Sequence, residues 1–263
     1  MPSQFCRSRF RLNYLFSFLL VILSLQAHGQ ALNGSRAQAD STYARKNAFG
    51  FFTAYSPDSS HILLGDAENR RLLEFGAVYN RKLLLNRLVH WQYSGEILPV
   101  SIESDPLVTV TLNLTTPAVQ NSSYPATAPI TACVSGTQPY TFTDPFSGTI
   151  YSGTMTESCS RQWTIGEAFS PVGFQWNFQP RHKLQPFLIG HGGYMYSTHA
   201  IPTAQAGAFN FTFDFGAGFE LFRTHSRSLR AEYRYHHISN HNTAQLNPGI
   251  DNGLIQLTYV FGR

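Results

Sequence analysis

The sequence predicts an all-β protein: an eight-stranded antiparallel transmembrane β-barrel with a long extracellular insertion. Three observations carry that reading. Apolar and polar residues alternate with period two in eight segments of about ten or more residues, the length a tilted strand needs to cross a bilayer. Charged residues make up 13% of the 263, about half the roughly 25% of a globular domain, while aromatics reach 14%, with 21 Phe and 13 Tyr. The connections between the segments alternate short and long, as the two ends of such a barrel require.

The N-terminus reads as a signal peptide, residues 1–29. Arg7, Arg9 and Arg11 form a basic start, Tyr14 to Leu25 an apolar core, and Ala27-His28-Gly29 a small-x-small cleavage site. The apolar core is too short for a spanning helix, although an anchoring helix is the competing reading. Losing this segment takes three of the 19 basic residues and no acid, leaving 16 against 15. The formal charge of +4 is therefore no signal for nucleic acid. No later run offers 18 consecutive apolar residues, which leaves strands as the means of crossing. Of the three cysteines, Cys6 falls in the signal. Cys133 and Cys159 remain as an even pair in an oxidising compartment, where one disulfide is expected. Neither has His or acidic neighbours at ligand spacing, so no metal and no cofactor are expected.

Residues 30–46 are polar and read as a periplasmic lead-in. The barrel then occupies 47–263, with strands expected at 47–56, 71–83, 88–101, 171–180, 184–198, 208–222, 228–239 and 253–262. In the sixth, Phe209, Phe211, Phe213, Phe215, Ala217, Phe219 and Leu221 share one face. Asn210, Thr212, Asp214, Gly216, Gly218 and Glu220 share the other, which suits lipid outside and a narrow polar lumen inside. The second, fourth and eighth strands repeat the pattern. In the seventh, Arg230, Glu232, Arg234 and His236 form a lumen set, and with Asp214 and Glu220 they make an ion-pair network. Eight strands leave an interior filled by side chains, which excludes a porin. Even strand number puts both termini and the short turns on the periplasmic side, where basic residues cluster. The 57–70, 102–170, 199–207 and 240–252 connections are then extracellular. The 102–170 segment reads as a surface loop stapled by its disulfide, with a small hairpin around Val108, Val110 and Leu112.

The chemistry centres on the outer face of the seventh strand, which carries Tyr233, Tyr235, His237 and Ser239. Residues two apart on a strand lie roughly 7 Å apart on one face, so an imidazole can reach the hydroxyl. A lone His-x-Ser is weak, because an interfacial rim tolerates both groups. Asp251, returning on the last strand after Pro248-Gly249, adds a carboxylate to orient His237 and stabilise its imidazolium. Asn240 and nearby backbone amides would stabilise an oxyanion. His236, His237 and His241 do not share a face, which argues against a metal site.

The run His237-Ile238-Ser239-Asn240, followed by Pro248-Gly249-Ile250-Asp251 and a final strand, resembles the lipid A deacylase family. These are eight-stranded outer-membrane barrels that release the 3-linked acyl chain of lipid A, also called acyloxyacyl hydrolases. The resemblance is sharp over 230–263 and architectural over 47–229. It implies Ser239 as nucleophile, His237 as general base, Asp251 as orienting acid and Asn240 as oxyanion contributor. It also implies lipid A or lipopolysaccharide in the outer leaflet as substrate, the bacterial outer membrane as location, and a membrane-embedded serine esterase with no nucleic-acid partner. Two departures stand out: the acid is Asp where the family carries Glu, and the 102–170 insertion is long. The alternative from another class is a non-enzymatic small barrel for adhesion or membrane integrity.

Overall fold

A computed structural model describes residues 42–117 and 121–263; the expected signal peptide, Cys6 and most of the lead-in lie outside the described residues. Among the described residues ten strands are present: β1 (Asn47–Ser56), β2 (Arg71–Leu85), β3 (Val89–Thr116), β4 (Ser122–Ser123), β5 (Gly136–Thr143), β6 (Ile150–Phe178), β7 (Leu184–Ser197), β8 (Phe209–Thr224), β9 (Arg227–Ser239) and β10 (Ile250–Gly262). Eight of them close into a ring, β1-β2-β3-β6-β7-β8-β9-β10, in which β10 returns to β1 and every neighbour is antiparallel. Closure leaves no strand edge within the ring, so every ladder group there is paired, a condition for a sheet in lipid.

The alternation read from the sequence is the inside and outside of this ring. Phe209, Phe211, Phe213, Phe215, Phe219 and Leu221 stand exposed on β8, while Asn210, Thr212, Asp214 and Glu220 between them are buried. Exposed Phe49, Phe51, Tyr233, Ile255, Leu257 and Tyr259 extend the apolar belt around β1, β9 and β10. An apolar surface of this extent has no place in water and marks the lipid-facing wall.

Two ion networks fill the lumen. Arg234 meets Glu96 at 2.8 Å, Glu232 at 3.1 Å and Asp214 at 3.4 Å. Nearer the end with the short turns, Glu220 meets Arg230 at 3.1 Å and Arg45 at 2.9 Å, and accepts a hydrogen bond from Asn177 at 2.8 Å. Arg45 belongs to the lead-in, so the chain before β1 plugs the lower end of its own barrel. A cavity bounded by Glu74, Glu96, Asp214, Arg234 and His236 measures about 20 Å³, room for a single water-sized sphere. The interior is a packed polar core and not a channel.

The expected loop over 102–170 requires correction. β3 and β6 do not stop at the rim; they stay paired from Val89↔Phe178 out to Thr116↔Ser152. The final twelve residues of β3 would alone span about 40 Å at the strand rise. β5 adds to the outer flank of β6, and β4 to that of β3. The hairpin expected around Val108, Val110 and Leu112 is present, pairing these residues with 122–127, and on their other side they pair with 155–159, far along the chain. Runs of Thr, Val and Tyr sustain the extended backbone, and their faces stay half-exposed because neither lipid nor lumen covers them. Cys133 and Cys159 are bonded to each other and tie the 124–135 segment to β6.

Phe215→Arg should distinguish this wall from a water-facing sheet. On lipid-facing β8 it is expected to cost about 2–4 kcal/mol, read from reversible folding into bilayers; a soluble surface position would lose no more than about 0.5 kcal/mol.

Candidate active site beside the 57–70 and 240–249 connections

Antiparallel pairing sets Asp251 on β10 directly opposite His237 on β9. The carboxylate Oδ1 lies 2.6 Å from His237 Nδ1. An ionised carboxylate only accepts, so Nδ1 carries the proton, and in the neutral ring Nε2 keeps its lone pair. That is the tautomer a general base requires. Asp251 Oδ1 also accepts from the Tyr235 hydroxyl at 2.7 Å, and Oδ2 from the backbone N–H groups of Leu63 and Leu64 at 2.7 and 2.8 Å. Four donors on one carboxylate hold it ionised and fix its plane.

Those amides come from the 57–70 loop, which lies over the outer face of the rim. Asp66 N–H donates to Pro248 O at 2.7 Å and Ala67 N–H to Gly249 O at 3.1 Å, so the loop runs beside the start of β10. Two glycines permit the approach. A Cβ on Gly65 would sit 2.6 Å from the Asp251 nitrogen, and one on Gly249 would sit 3.0 Å from His237 Cε1. Gly249 also adopts φ +63°, a left-handed conformation that costs other residues free energy. His237 faces outward but is only 7% exposed, because this loop and Phe213, with ring centroids 5.2 Å apart, enclose it. Leu63 and Leu64, whose amides hold the acid, present their own side chains outward at 64% and 62% exposure.

Ser239 lies two residues beyond His237 on the same face, half-buried and opposite Phe211. Among the described residues no hydrogen bond joins its Oγ to His237 Nε2. Asn240 is buried; its side-chain Nδ2 donates to Leu246 O at 2.7 Å, and its backbone N–H to Asn247 Oδ1 at 3.0 Å. It thereby shapes the turn that leads to Pro248 and Gly249. His236 points into the lumen and His241 leaves the strand at φ +52°. One group of metal-ligand type, Glu96, His191 and Asp214, lies in the lumen with its atoms within 4.8 Å. The Arg234 guanidinium already supplies the cation there.

The bond from Tyr235, which the alternation had placed on this face, to Asp251 escaped sequence reasoning, as did the Leu63 and Leu64 amides and Arg70. Arg70 is fully buried and donates to Ile130 O at 2.8 Å and Pro202 O at 3.0 Å, joining the 57–70 connection to the segments around Ile130 and Pro202 behind the site. A lone Arg before a strand carries no such signal; only the Gly65 and Gly249 positions hinted at close packing.

Gly249→Ala is expected to press on the imidazole and weaken its bond to Asp251 while the barrel still closes. The measurement is the low-field Nδ1–H proton resonance of His237, present in the parent and lost or shifted in the variant, with heat-modifiable electrophoretic mobility reporting the closed barrel.

Residues 133–260 match the family model described as Lipid A 3-O-deacylase (PagL). No curated protein sequence matches the chain. Among solved structures, the outer membrane enzyme PagL aligns at 12% identity and a TM-score of 0.46, covering 81% of this chain and 99% of that one. Neisserial surface protein A aligns at 11% and 0.38, covering 83% and 97%. The COG4313 outer membrane channel from Pseudomonas putida F1 aligns at 8% and 0.24, covering 89% and 98%. At such scores these structural likenesses carry no weight, and the match of the family model stands by itself. The likeness to the lipid A 3-O-deacylase family read from the His-x-Ser-Asn run is thereby borne out over residues 133–260.

Proposed function

We propose that this chain is an outer-membrane esterase that removes the 3-linked acyl chain of lipid A, with Ser239 as nucleophile, His237 as general base and Asp251 as the orienting acid. The observation that carries the reading is the 2.6 Å contact between His237 Nδ1 and Asp251. It leaves Nε2 as the proton acceptor on the face that Ser239 shares. Catalytic hydrogen bonds are often long before substrate binds.

In the proposed reaction, Ser239 Oγ attacks the ester carbonyl of an acyl chain in the outer leaflet and His237 Nε2 takes its proton. Asp251 stabilises the imidazolium so formed. The imidazolium returns the proton to the departing sugar hydroxyl, leaving an acyl-enzyme. Water, deprotonated by the same imidazole, then releases the fatty acid. The second N–H of the Asn240 side-chain amide would face the oxyanion. Exposed Phe209 and Phe211, beside Ser239 on β8, offer the acyl chain a surface continuous with the lipid wall.

The competing reading, a non-enzymatic adhesion barrel, draws support from the unjoined Ser239 and His237 and from the projecting insertion. Lipid A mass spectrometry separates the two. Expression of the parent should yield lipid A lighter by one acyl chain. Ser239→Ala and His237→Ala should each reduce that conversion by about 10⁴-fold or more with the barrel intact. Unchanged lipid A in cells expressing the folded parent would sink the esterase reading.

A further inference from the structure

The opposite end of the barrel carries a second feature, independent of the rim chemistry. The short turns 84–88, 179–183 and 223–227 contain Arg87, Arg181, Lys183, Arg223 and Arg227 and no Asp or Glu. A groove of about 490 Å³ opens in the outer wall beside this basic end, lined by Tyr79, Arg81, Lys82, Leu83, Tyr93 and Phe174.

The local backbone makes the groove. Tyr93 packs against the bare Cα of Gly95, where an added Cβ would lie 2.7 Å from the Tyr93 hydroxyl, and donates to Pro171 O at 2.6 Å. Its ring therefore leans away from Arg81, its cross-strand partner. Tyr79 leans the other way, toward β1, and donates to Asn47 Oδ1 at 2.8 Å. The two rings still meet edge-on, with centroids 6.4 Å apart, and form one aromatic side of the groove. A bulge in β2 between Lys82 and Leu84 then interrupts the alternation, so that Leu83 and Leu84 both turn outward at the strand's end. Arg81, Lys82, Leu83 and Leu84 are all exposed. Arg81 and Lys82 make no ion pair among the described residues.

We propose that this groove binds an anionic glycerophospholipid of the periplasmic leaflet, its phosphate between Arg81 and Lys82 and an acyl chain along Tyr79, Tyr93 and Phe174. Charge complementarity selects the headgroup: two unpaired cations meet a net negative lipid, and no acid on the neighbouring turns offsets them. The aromatic walls select a lipid over a soluble phosphate, because they give the acyl chain an apolar bed. Aromatic rings next to basic residues at a bilayer interface also hold both parts at the right depth.

The test uses the full chain in detergent micelles, with dioleoyl phosphatidylglycerol and dioleoyl phosphatidylcholine supplied at equal concentration and retained lipid counted by native mass spectrometry. The parent should retain phosphatidylglycerol in excess by on the order of tenfold. Arg81→Gln/Lys82→Gln should fall to the phosphatidylcholine level. Arg223→Gln/Arg227→Gln, on the far side of the same basic rim, should behave as the parent. Heat-modifiable mobility reports folding of each variant, and the comparison of the two lipids on the parent stands without any variant. Equal retention of both lipids would overturn the proposal. So would a double variant that keeps its preference, a control pair that loses it equally, or displacement of the lipid by inorganic phosphate.

Discussion

The ladder between β1 and β10 is the constraint from which the rest follows. It pairs Phe49 with Phe261 and Phe51 with Tyr259, and it closes the sheet in one register. Because side chains alternate strictly along a strand, closure in this register commits every residue of the ring to lumen or lipid. A slip of one residue would drive Phe into the ion network and Arg into hydrocarbon. The same parity parts two adjacent histidines: His236 enters the charged lumen and His237 goes to the outer wall. The outward histidine alone meets Asp251, since Asn252 rather than Asp251 lies opposite His236.

Closure at eight strands also decides where chemistry can occur. The lumen holds Glu74, Glu96, Asp214, Glu220, Glu232, Arg230, Arg234 and His191, a concentration of titratable groups that elsewhere would suggest an active site. Here they neutralise one another. Arg234 is shared among three carboxylates, and the remaining space admits little more than a water-sized sphere. Removing a single partner from such a network strands a buried charge. An amphiphile cannot enter it, which leaves the outer wall and its rim as the surface available to a substrate with acyl chains.

The barrel was legible because its signal is repetitive. Each spanning strand repeats the same period-two pattern, and the Phe run of β8 alone shows which face meets lipid. The pairing of Asp251 with His237 was legible for a related reason, since consecutive strands of the ring are antiparallel neighbours and the residues flanking their connection meet. The insertion was misjudged because Thr-rich segments such as 107–116 look alike whether they form a loop or a strand. Their partner, 150–160, lies beyond the range of any local pattern. The enclosure of His237 was missed for the same reason: Leu63 and Leu64 act through backbone N–H groups, which no side-chain motif encodes. Gly65 was the only residue in that loop whose type reflects the contact.

The Asp at position 251, where the resembling family carries Glu, acquires a structural rationale from these contacts. Directly paired residues on antiparallel strands have Cα atoms only about 4.5–5.5 Å apart, so a short acid already reaches the imidazole. The rest of its coordination is then supplied from outside the barrel. The 57–70 loop delivers two amides to Oδ2, and that loop is itself held down by Glu68 N–H to Ile130 O at 2.8 Å and by Arg70 to the same carbonyl. Ile130 lies three residues before Cys133, whose disulfide to Cys159 anchors the segment to β6. The long insertion and the short acid are therefore linked parts of one arrangement. Extended strands carry the insertion clear of the rim, its stapled base returns to clasp the loop, and the loop fixes the carboxylate that a single β-ladder had already placed within reach of His237.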